Sequence, residues 1–129
     1  MRKHLLILVA LLLITACGTS AEEKAIEEER NNFKIHENID NLLGVDALTT
    51  VWKMQDDFTK KEEADTDSLF RFTDTYLMED YESLNEQEQA IVMKTSGMIS
   101  KFLDERYKGI EDFNEDKDEF YKVLETGIY

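Results

Sequence analysis

The chain contains no proline, one cysteine and two histidines in 129 residues. Proline breaks helices and serves turns and sheet edges, so its absence favours a helical protein over an all-β one. A single cysteine excludes an internal disulfide, which leaves apolar packing to hold the fold. Glycine is also sparse, at five, and neither a glycine-rich phosphate loop nor a Gly-x-Ser-x-Gly turn occurs. Positive charge is scarce: 15 Lys and Arg face 29 Asp and Glu, for a net charge of −14. Such a chain is a poor partner for nucleic acid, whose phosphates must be neutralised by Lys and Arg. Anionic lipid headgroups repel it as well.

Of the two histidines, His4 lies in the N-terminal segment read as a cleaved signal, which leaves His36 alone and excludes a zinc site with two histidines or an HExxH helix. His36 reads as a surface residue. Asp112, Asn114 and Asp116 take the first, third and fifth places of an EF-hand loop, but the sixth place is Lys117 instead of glycine. The twelfth place is Val123 instead of a bidentate glutamate, so the calcium reading fails at the two places that matter most. The stretch reads instead as an acidic helix start, with Asn114 as a cap. Adjacent acids such as Glu79-Asp80 and Asp104-Glu105 are inevitable in so acidic a chain. The residues therefore assign no catalytic group, no metal and no cofactor, and the expectation is a protein that is not an enzyme.

The most specific pattern lies at the N-terminus. Arg2 and Lys3 precede an uncharged apolar run over 5–14 that is too short to span a bilayer, followed by Ile14-Thr15-Ala16-Cys17. This is the plan of a secretory signal peptide. The last four residues resemble the lipobox of bacterial lipoproteins: an aliphatic residue, two small residues and the cysteine. The resemblance implies cleavage between Ala16 and Cys17 and diacylglycerol on the Cys17 sulfur. The mature chain is then tethered at the outer face of the cell membrane. Cleavage would leave about 113 residues, enough for one domain, and removing Arg2 and Lys3 would take the charge to about −16. Residues 1–16 are read as signal, 17–25 as a lipidated tether and 26–129 as an acidic helical domain. The Lys-, Glu-, Asn- and Ile-rich usage suggests a Gram-positive origin.

Hydrophobic spacing predicts an all-α fold, a compact bundle of four or five helices. A first helix, capped by Ser20, begins with a polar stalk through Glu27, Glu28, Glu29 and Arg30. It continues past Ile35, Ile39, Leu42 and Leu43 to a stop at Gly44. A second begins at Asp46 and buries Leu48, Val51, Trp52, Gln55 and Phe58, with Asp56 and Asp57 mostly off that face. A third, capped by Thr66 or Asp67, carries Leu69, Phe72 or Thr73, Tyr76, Leu77, Tyr81 and Leu84. Asn85 with Glu88 forms a capping box that opens the longest helix, which runs past Tyr107 to Gly109. A last helix over about 112–126 buries Phe113, Phe120, Tyr121 and Leu124 and stops at Gly127. Gly97, inside the longest helix, suggests a close approach of two helices.

Phe70 and Met78 fall outside the apolar stripe of the third helix, which makes them the candidate partner-binding residues. A tethered, acidic helical body without recognisable chemistry suggests a protein-interaction module with a membrane-protein partner. By type and size it is similar to the short exclusion and immunity lipoproteins of Gram-positive mobile elements. That resemblance implies a block on a conjugation, phage-entry or toxin component. The alternative is an accessory lipoprotein of a transporter or cell-wall assembly.

Overall fold

The computed structural model describes residues 21–61 and 63–129, and every regular element among them is helical. The signal segment, the lipobox with Ala16 and Cys17, and the Ser20 cap lie outside the described residues. The chain divides into two units, residues 1–33 and 34–129. In the first, helix α1 spans Ala21–Asn31. It ends where Asn32 turns back on it: the Asn32 side-chain amide donates to the Glu28 carbonyl at 3.0 Å, and its backbone N–H donates to Glu29 at 3.1 Å.

The second unit contains α2 (Asn41–Lys60), α3 (Thr66–Phe72), α4 (Glu86–Leu103) and α5 (Ile110–Thr126). Between α3 and α4 the helix widens into a π-helical stretch, Thr73–Glu79, and closes with a 3₁₀ turn, Tyr81–Ser83. The core is continuous. Leu43, Ala47, Leu48, Val51 and Met54 from α2 meet Leu69 and Phe72, Ile91, Val92, Met98 and Ile99, and Phe113, Phe120 and Leu124. Three aromatic rings tie the far end together. Phe113 stacks on Phe58 at 6.1 Å and meets Tyr107 edge-on at 5.2 Å.

Helix boundaries follow local hydrogen bonding. Residues 32–40 are irregular, so the first helix does not run on to Gly44. Helix α2 starts instead after Asp40, whose carboxylate accepts the N–H groups of Leu42 at 3.1 Å and Leu43 at 3.4 Å. Asp46 is therefore inside α2, not its cap. Gly44 is also inside α2, where a Cβ would stand 2.9 Å from Ile35 side-chain carbons, so its role is close packing. Helix α3 is capped by Asp65, one residue before the expected Thr66: Asp65 accepts the Ser68 N–H at 3.2 Å and the Ser68 hydroxyl at 2.9 Å. These bonds, with Lys53 nearby, hold the Asp65 carboxyl below its ordinary range.

The capping box of α4 forms as its sequence implies. Asn85 accepts the Glu88 N–H at 2.9 Å, and Glu88 accepts the Asn85 N–H at 3.2 Å. The box also serves tertiary structure: Asn85 donates to the Asn38 carbonyl at 2.6 Å, and Glu88 accepts the Asp40 N–H at 3.1 Å. Helix α4 stops at Leu103, before Tyr107 and Gly109, because Glu105 enters the left-handed region (φ 55°) and reverses the chain. Gly109 precedes α5 as its N-cap. Asn114 is interior to α5, not a cap. Gly127, at φ 69°, ends α5 as expected. His36 is half-buried instead of superficial. Its N–H donates to the Leu124 carbonyl at 2.7 Å, and its Nδ1 accepts the Asn38 N–H at 3.1 Å.

Gly97 does not mark a close helix approach. A Cβ there would meet only the Tyr129 hydroxyl, at 4.0 Å, and the position is exposed. Gly97→Ala should therefore raise stability by about 1 kcal/mol, the intrinsic helix preference of alanine. Urea unfolding measures it; a loss of stability would mean that Gly97 is needed for bending or contact.

Candidate functional site

The π-helical stretch departs from α-helical hydrogen bonding, and such segments are often associated with functional sites. Its closing bond runs from the Asp80 N–H to the Thr75 carbonyl, five residues back, at 3.2 Å. The Thr73 hydroxyl competes for the Leu69 carbonyl at 3.4 Å, a bond that loosens the preceding turn. The extra residue per turn keeps Tyr76 and Leu77 against the core while Met78 stands outward.

Phe70 and Met78, the candidate partner-binding residues, are both exposed, at 53% and 72%. They stand on one continuous helical segment, eight residues apart. Neither lines the adjoining groove between α2 and α3, so the structure does not gather them into a pocket. That groove, of about 400 Å³, is lined by Asp46, Thr49, Thr50 and Lys53 on one side and by Ser68, Arg71, Thr75 and Tyr76 on the other. The two helices run antiparallel, joined at one end by Tyr76 with Asp46 and at the other by Lys53 with Asp65 at 3.6 Å. The Thr49 and Thr50 hydroxyls donate to the Val45 and Asp46 carbonyls of their own helix, at 2.8 and 2.7 Å. Their protons are committed to α2. Sequence reasoning missed the Asp46–Tyr76 pair because it placed Asp46 at a helix start. The signal available was Tyr76 itself, a phenol on an apolar stripe that needs a polar partner.

A second polar seam joins α4 to α5. Lys94, nearly buried, pairs with Glu119 at 2.8 Å and Asp116 at 3.4 Å, and Lys101 reaches Asp112 at 3.5 Å and Asp116 at 3.7 Å. Tyr107 donates to Asp116 at 2.8 Å while the Lys101 ammonium lies 4.5 Å above its ring. Asp112 and Asp116, two of the would-be calcium ligands, are thus carboxylates of a continuous helix bonded to lysines and a tyrosine. No group of three or more His, Cys, Asp or Glu side chains that could hold a metal ion occurs among the described residues.

Burial raises the phenol pKa of Tyr76, helped by its bond to Asp46 and by the Asp40 and Asp80 carboxylates. Burial and Asp116 raise that of Tyr107. Burial alone would lower the Lys94 pKa, but Glu119 and Asp116 together hold it above its ordinary value. All three groups therefore keep their protons in the fold. The contribution of the two tyrosines to stability is complete below their ordinary value of 10.0 and that of Lys94 below 10.5, and each is lost as pH rises further. Spectrophotometric titration should show Tyr76 and Tyr107 ionising only together with alkaline unfolding. Ionisation of all tyrosines near 10.0 in a folded protein would contradict these hydrogen bonds.

Compared with known proteins, the chain matches no family model, no curated sequence and no solved structure. Among the described residues, no helix is long and apolar enough to cross a membrane.

Proposed function

We propose that the chain is a lipid-anchored interaction module at the outer face of the cell membrane. The observation that carries this reading is the lipobox pattern Ile14-Thr15-Ala16-Cys17 behind a cationic start and a short apolar run. Two acyl chains on one cysteine give stable anchoring where one would bind marginally. Tethering concentrates the helical body near membrane proteins, so modest affinity suffices. The exposed Phe70 and Met78 are the contact residues in this reading, and the acidic surface keeps the body off anionic headgroups.

Within that class we propose the exclusion or immunity type, which blocks a conjugation, phage-entry or toxin component at the membrane. The test is self-protection. Cells producing the wild type should resist transfer, infection or killing, and cells producing Cys17→Ala should not. Equal sensitivity of both, with altered uptake of a solute, would instead assign the protein to a transporter as an accessory.

A further inference from the structure

A cavity of about 780 Å³ opens where the end of α2, the start of α3 and the turn after α4 converge. Its wall includes Asp57, Phe58, Phe102 and Tyr107, with Lys61, Glu63 and Glu105 at exposed positions around it. Asp57 is the anomaly. The sequence pattern places it off the buried face of α2, yet it is only 6% exposed, and one of its carboxylate oxygens, Oδ2, is buried without a hydrogen-bond partner. A buried carboxylate in that condition is costly. Its position adds to the cost: Asp57 lies in the last turn of α2, where the helix dipole is negative and favours cations. Two further features mark the same place. Lys61 and Glu105, both lining the cavity, are the two non-glycine residues with positive φ among those described, each at 55°.

These conditions select the occupant. Among the described residues of the wall, the carboxylates of Asp57, Glu63 and Glu105 outnumber the ammonium of Lys61 and disfavour an anion. A neutral apolar molecule would fill the cavity and leave Asp57 unpaired. A bound metal ion would need several converging ligands, and no such group is found among the described residues. An organic monocation with an apolar stem satisfies both halves of the wall. Its ammonium or guanidinium pairs with Asp57, while Phe58 and Phe102, half-buried in the wall, supply apolar surface for the stem. The volume falls in the range of small-ligand sites.

We infer that this cavity is a binding site for an organic cation, an alkylammonium or a guanidinium group, with Asp57 as its charge partner. The site is independent of the lipid anchor and of Phe70 and Met78. Two sources offer this chemistry, a free amine and a basic side chain of another protein, and the probes distinguish them.

The experiment titrates the full chain, in non-ionic detergent, with phenethylammonium, with neutral 2-phenylethanol and with a blocked pentapeptide carrying one central arginine. Amide resonances report binding. At least one of the two cations should saturably shift residues around Asp57, Phe58, Phe102 and Tyr107. Its affinity should exceed that of the alcohol by roughly ten- to a hundredfold, the range for a charged hydrogen bond. Asp57→Asn should remove that advantage, and Phe70→Ser should not. Tighter binding of the peptide assigns the source to a protein side chain; tighter binding of phenethylammonium assigns it to a small amine. Shifts from neither cation, equal binding of cation and alcohol, or an advantage that survives Asp57→Asn would overturn the inference. If Asp57→Asn fails to fold, the comparison of cation with alcohol on the wild type still decides.

Discussion

Cys17→Ala should move the protein from the membrane fraction to the soluble fraction and abolish incorporation of labelled fatty acid. The loss of labelling is expected to be all-or-none, because the proposed lipid sits on this one sulfur. Among the described residues no helix is long and apolar enough to cross a membrane, and the net charge of −14 opposes adsorption to anionic headgroups. At roughly 0.8 kcal/mol per buried methylene, two acyl chains outweigh any surface attraction that the body could supply. The thiol chemistry points the same way. A lone free cysteine in an exported protein is exposed to oxidation and cross-linking, and the proposed thioether at Cys17 would remove that hazard. Fatty-acid labelling that persists in Cys17→Ala would refute the anchor. Unchanged fractionation without labelling would place the membrane attachment elsewhere.

Phe113→Ala should cost about 3–5 kcal/mol, the range for deleting a fully buried phenylalanine. The side chain has no exposed surface and holds the Phe58 and Tyr107 rings against α5. A domain of this size commonly has about 5–15 kcal/mol in total, so the variant should be partly unfolded or have a sharply lowered urea midpoint. The control is Phe70→Ala. With Phe70 53% exposed, the change should stay within about 0.5 kcal/mol, as at ordinary surface sites. A large loss at Phe70 would make it a core residue and remove it from the partner surface. The pair of variants separates the aromatic residues that build the bundle from those free to meet something else.

Where local chemistry and long apolar spacing agreed, the helices were legible in the sequence. Asn85 and Glu88 state their reciprocal cap in four residues, and Gly127 marks the left-handed end of α5. Spacing alone gives Phe113, Phe120 and Leu124 of the buried face of α5, but not Lys117 and Val123, and it does not announce the buried Lys94 of α4. The misplaced boundaries have tertiary causes. Ile35 and Ile39 continue a helical spacing, but they pack on the core from an irregular segment that bonds to the end of α5 through His36. Gly44 reads as a stop because glycine usually is one; here it makes room for Ile35. Tyr107 lies on the α4 stripe in projection and is buried after the helix has ended. No single-residue pattern announces a π-helical stretch, since it depends on Thr73 bonding backward while Tyr76 and Leu77 are held by the core. The exposure of Phe70 and Met78 was readable from spacing. The cavity at Asp57 was not, because its walls come from α2, α3 and α4 and the carboxylate sits off the apolar stripe of α2.

The most direct test of the whole account is cross-linking in living cells, comparing wild type, Cys17→Ala and a Phe70→Ser/Met78→Ser double variant. The account predicts one main membrane-protein partner with the wild type, lost in Cys17→Ala and weakened in the double variant while the lipid remains. A partner captured equally from all three, or a wild type that captures none, would contradict a membrane-tethered interaction module that binds through Phe70 and Met78.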